Sequence, residues 1–158
     1  MSVQTSYGIT QNIAFRGQKS DLQLSNTISK TIQDQEVDFG LALVRGTLDA
    51  TATLATATGS QFVGISQRTL AGTSTGAGVD ARKYQVNESA NVLEEGVIWV
   101  ICENGCVQGD DVFFRFVVGT GELGGFTSAN VAGETDQVLL ATWETTATAG
   151  NLAQIKLK

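Results

Sequence analysis

The chain has no histidine, no proline, only two cysteines and only 16% charged residues. Each shortage removes a class of chemistry or architecture. Without histidine, the side chain best suited to proton transfer near neutral pH and the commonest metal ligand are both missing, so Ser-His-Asp and Cys-His catalysis are excluded. Without proline, turns fall to Gly, Asn and Asp, and neither a polyproline ligand nor a stiff Pro linker exists. No apolar run approaches membrane-spanning length, so no membrane partner is expected. Charge density lies well below the ~25% usual for globular chains, whereas Gly (18) and Thr (19) are plentiful. Much of the surface must then be uncharged and polar, which tolerates close neighbours.

The 158 residues are one domain's length, enough to bury a core. The net charge of −6 is unevenly placed: residues 1–30 carry +2 and residues 31–158 carry −8. An acidic body repels nucleic acid, and none is expected as a partner. The weakly basic first part suits an acidic neighbour, either another copy or a different protein. Met1-Ser2-Val3-Gln4 has no positive region followed by an apolar stretch, so synthesis in the cytoplasm is expected, with Cys102 and Cys106 as reduced thiols.

Two apolar runs, Val97–Cys102 and Val112–Val118, are rich in β-branched and aromatic residues and bounded by Gly or Asp. They read as strands buried on both faces, which need cover from another sheet or a neighbouring subunit. From Phe39 onward strand signals recur, predicting strands at 40–47, 61–68, 82–86, 96–103, 111–118, 137–144 and 152–157. Trp99 and Trp143 fall inside these and are expected in the core. Thr47–Ser60, Ala71–Gly78, Gly119–Phe126 and Thr145–Gly150 read as turns or surface loops. No segment has a convincing helical period. The expected fold is all-β, an antiparallel β-sandwich or small β-barrel spanning 31–158, preceded by an extended N-terminal arm over 1–30.

Several motifs point to chemistry and give way to plainer readings. Gly119, Gly121 and Gly124 spell G-x-G-x-x-G after a strand, but no amphipathic helix follows, and Glu122 puts a carboxylate where a pyrophosphate would sit. A glycine-rich hairpin is expected. Asp34, Glu36 and Asp38 alternate, yet Phe39 and Arg45 stand where a calcium loop needs Gly and Glu. Cys102 and Cys106 lack the spacing and further ligands of a zinc site. The adjacent pairs Glu94-Glu95 and Asp110-Asp111 point to opposite faces of extended chain, which does not suit a glycosidase. No cofactor, metal or catalytic residue is expected. Arg115 interrupts an apolar run: if buried, it needs a carboxylate such as Glu103, Glu144 or one on another subunit; otherwise it sits at an edge with its head group in water.

From Gly96 to the end the pattern runs E-G-V-x-W-V, then G-D-D-V-F-F-R, a glycine-rich turn with G-x-F, V-L-L-A-T-W-E-T-T-A, and a closing A-x-I-x-L. With the opening Tyr7–Phe15-x-Gly17 and Gln61–Ser66 midway, it resembles the structural cement, or decoration, proteins of tailed bacteriophages. The resemblance covers nearly the whole chain. It implies a small all-β, non-enzymatic virion protein on the outer capsid surface, bridging neighbouring major capsid subunits and stabilising the shell. It also implies self-association, a homotrimer ahead of a dimer. Tyr7, Ile9, Ile13, Phe15, Arg16 and Arg115 are the residues expected to contact capsid or sister subunit. Two other readings compete: a carboxylate-based hydrolase, for which no carboxylate pair stands out, and a fibre, tail or carbohydrate-binding module, whose aromatic platforms would be Trp99, Trp143, Tyr7 and Tyr84.

Overall fold

A computed structural model describes residues 14–20, 24–69, 83–119 and 121–158. Among them are nine strands and no helix: β1 (Asn26–Ile32), β2 (Ala42–Arg45), β3 (Thr51–Thr53), β4 (Phe62–Ser66), β5 (Ser89–Cys102), β6 (Asp111–Arg115), β7 (Phe126–Thr127), β8 (Thr135–Trp143) and β9 (Asn151–Leu157). The all-β expectation holds, and the fold is of the barrel kind. Pairings β1–β3–β2–β4–β5 return from β5 to β1 and close a five-strand ring. A second chain of pairings, β5–β7–β6–β8–β9, returns from β9 to β5.

The antiparallel expectation needs one amendment. A closed ring with an odd number of strands cannot alternate direction all the way round, so each ring must hold a parallel pair. They are β1–β3 and β5–β7.

β5 belongs to both rings. Its residues 89–95 pair with β1 and its residues 96–102 with β9. The changeover falls at Gly96, whose φ of +125° and whose approach to Ser25, where an added Cβ would lie 2.9 Å from that residue's Cβ, suit glycine alone. That glycine reads in the sequence as the start of a strand, whereas the strand begins seven residues earlier, at Ser89. Of the strand expected at 82–86, the described residues 83–86 hold a single bridge, between Val37 and Tyr84. Asn87, at a φ of 67°, turns the chain there before β5 starts.

Alternate residues of the shared strands feed two cores. One gathers Ile32, Val37, Leu43, Ala52, Tyr84 and Val92 from the first ring. The other runs through the second ring, with Ile98, Val100, Phe114, Phe126, Trp143 and Ile155, and takes in the opposite faces of β2, β4 and β5 through Val44, Ile65 and Leu93. The rings are thus packed against each other as well as joined. Trp143 is fully buried, as its flanking apolar residues predict, but Trp99 is only half-buried. Its strand position points it outward, across from Gln154 of β9.

Candidate interaction surface

The N-terminal segment is seated on β5. Gly17 N donates to Trp99 O at 2.7 Å, Trp99 N to Gln18 O at 2.9 Å, and Ser20 N to Val97 O at 2.9 Å. Arg68 N donates to Gly17 O, and the Arg68 guanidinium lies 4.9 Å over the Phe15 ring and 5.5 Å over Phe39. Of the expected contact residues, Tyr7, Ile9 and Ile13 lie outside the described residues. Phe15 is exposed, at 45% of its surface. The segment expected as arm, 1–30, also holds the first five residues of β1, which pairs with β5 from Asn26 onward.

Arg16 and Arg115 stand at the two ends of one charged network. Arg115 is buried, so of the two readings open in the sequence the paired one applies. Its Nε donates to Glu103 at 2.9 Å and its Nη1 to Glu134 at 2.5 Å. The hydrogen bond that Arg115 donates to Glu103 raises the guanidinium's pKa above its ordinary value. Glu103 is a partner that the sequence predicts; the second carboxylate is Glu134, from the turn before β8, in place of Glu144. The other Glu103 oxygen accepts the Glu122 amide at 2.9 Å. Glu122 in turn takes Arg16 Nη2 at 2.6 Å, with Asp38 4.0 Å from Arg16 on the other side.

This network accounts for the glycine-rich loop. A side-chain carbon on Gly121 or Gly125 would collide with the Glu103 carboxylate. One amide of the loop, Glu122 N, donates to the Glu103 carboxylate, and the Glu122 side chain pairs with Arg16.

Between the N-terminal segment and β9 lies an open groove of about 760 Å³. Trp99, Ile101 and Leu152 line it from the sheet, Ala14, Phe15 and Arg16 from one wall, with Thr145, Thr146 and Asn151 as polar members. Sequence patterning missed this face because it took Trp99 as core. It also missed Leu139 and Leu140, which are 78% and 73% exposed. Between the pairs Asp111–Thr142 and Phe113–Gln137 the register of β8 slips, and the extra residues bulge outward, with Leu140 at a φ of 64°. Two adjacent leucines in a run that should alternate were the available signal.

Among the described residues no cluster of His, Cys, Asp and Glu could hold a metal ion. Cys102 and Cys106 are free and buried, and burial pushes the Cys102 thiol up to about 12. That thiol is poorly suited to nucleophilic chemistry at neutral pH. Tyr84, one of the candidate platforms, is buried, its hydroxyl donating to Gln67 O at 2.7 Å.

Two closed rings around a shared strand, with a hydrogen-bonded N-terminal segment and an open groove beside it, make up a β-barrel protein. A family model of the "Structural cement protein (E217 gp24/Pam3 gp6)" matches residues 3–158, and the chain belongs to that family of phage structural proteins. Its fold is that of a chain in "The capsid of Myoviridae Phage XM1", with a TM-score of 0.75 at 14% identity over 100% of this chain and 98% of that one. The N-terminal base of the head fibre gp8.5 of bacteriophage phi29 overlaps only weakly, with a TM-score of 0.45 at 12% identity over 85% of this chain and 95% of that one. No curated protein matches the chain by sequence.

Proposed function

We propose that the protein binds the outer surface of the assembled phage head and bridges neighbouring major capsid subunits, stabilising the shell without catalysis. The observation that carries this reading is family membership over residues 3–158, which spans both rings and the segment that joins them. Two physical features support it. Leu139 and Leu140 project from the β8 bulge, and an exposed apolar pair on strained backbone is suited to burial against another protein. Glu103 and Glu134, two carboxylates brought to one side chain, are both committed to Arg115, which leaves them unsuited to acid–base work.

Cosedimentation with purified full and empty heads tests the reading. The protein should pellet with heads and raise the temperature at which they release DNA. Failure to pellet with either kind of head overturns it.

A further inference from the structure

We propose that the groove over β5 and β9 receives residues 7–13 of a second copy, so that copies of the protein are tied together by exchanged N-terminal arms. This goes beyond capsid binding and does not rest on it. The groove is a surface in need of cover: Trp99 and Ile101 face it from β5, and Leu152, paired with Ile101 in register, faces it from β9.

The sequence of residues 7–15 alternates in a way that matches the groove. Tyr7, Ile9, Ile13 and Phe15 share odd positions with Gln11, and an extended chain projects alternate residues to one side. Gly8, Thr10, Asn12 and Ala14 make up the other, small or polar, side. The last member of the apolar row, Phe15, already lines the groove. The arm's Thr, Gln and Asn groups suit the polar members Thr145, Thr146 and Asn151.

The choice of a second copy follows from where the described chain begins. Ala14, Phe15 and Arg16 form one wall, and the turn behind them is closed by Gln18 N donating to Phe15 O at 3.0 Å. Ile9–Ala14 contains neither glycine nor proline, and Asn12 is its single residue of a usual turn-forming type. Fully extended, thirteen residues reach roughly 45 Å. A domain of this length has a radius of gyration of about 15 Å, so the arm outreaches its own body. Donating an arm and receiving one are different surfaces, and such head-to-tail contacts close into a ring when the rotation allows.

The test uses full-length protein. Ile9→Cys and Leu152→Cys are made separately, mixed, and oxidised with copper phenanthroline; the native Cys102 and Cys106 are buried and serve as the background control. Arm exchange gives a covalent dimer that needs both variants and disappears on reduction. Deleting residues 1–13 should lower the mass seen by light scattering and shift the Trp99 contribution to the emission spectrum to the red. Two results overturn the proposal. One is a double I9C/L152C chain that crosslinks only within itself at every dilution, which makes the chain's own arm the occupant. The other is no crosslink between variants together with unchanged mass and emission on deletion. Head binding is not among these readouts, so failure here is separate from failure of the capsid reading.

Discussion

Replacing Arg115 with Ala tests whether the charged network holds the second ring together. Arg115 has only 5% of its side chain exposed, against 16% for Glu103 and 36% for Glu134. The Glu134 contact is partly solvated and is worth about 0–1 kcal/mol. The Glu103 contact is not. Its carboxylate would be left under the glycine loop with the Glu122 amide as its remaining donor. Breaking one side of a buried pair costs about 3–5 kcal/mol, because the surviving charge stays desolvated. For a chain of this size each kcal/mol shifts Tm by about 2–4 °C, so Arg115→Ala should lower Tm by roughly 6–20 °C. The double variant Arg115→Ala with Glu103→Gln removes the stranded charge and should recover part of the loss, giving non-additivity above about 1 kcal/mol. Thermal and urea unfolding of the wild type, the two single variants Arg115→Ala and Glu103→Gln, and the double variant measure this. A loss below ~1 kcal/mol for Arg115→Ala, or strictly additive effects, would refute the reasoning and reduce the network to a surface decoration.

Two further outcomes are expected. Trp143→Ala should cost about 3–5 kcal/mol in urea unfolding, whereas Trp143→Phe should cost clearly less: the indole Nε1 is buried with no partner, and removing it relieves a penalty of about 1–3 kcal/mol. Equal losses would show that the donor is satisfied in solution. The Cys102 thiol titrates near 9.0 in the unfolded chain and at about 12 when folded. Above pH 9 the unfolded state therefore binds fewer protons than the folded one, and stability should fall as pH rises from 9 toward 12. Cys102→Ala should be less stable at neutral pH yet show a shallower alkaline decline in Tm; an unchanged slope assigns the decline to other groups.

Strands with dense β-branched and aromatic content, such as Val97–Cys102, were legible in the sequence because no polar residue interrupts them, on the core side or on the groove side of Trp99 and Ile101. β1 was not, since its Ile28-x-Lys30-x-Ile32 row carries a lysine whose ammonium reaches Asp49 O at 2.7 Å. β3 is three residues, Thr51–Thr53, in a Thr- and Ala-rich stretch that looks like a loop until Ala52 is seen buried between β1 and β2. The need of Arg115 for a carboxylate could be read from its apolar neighbours. The identity of Glu134 could not, because a turn brings it in and turns carry no periodic signal. Trp99 looked like core for the same reason as Trp143, and only the register against β9 separates the outward residue from the inward one.

The fourteen residues of β5 have a mechanical consequence. Extended at 3.3 Å per residue, the strand is a strut of roughly 46 Å common to both rings. Tension along it meets hydrogen bonds to β1, β4 and β9 that lie crosswise to the pull, so many must shear together instead of unzipping one by one. A load applied at one end of the molecule is therefore delivered to the other end through a single continuous stretch of backbone, with no loop in series to stretch first.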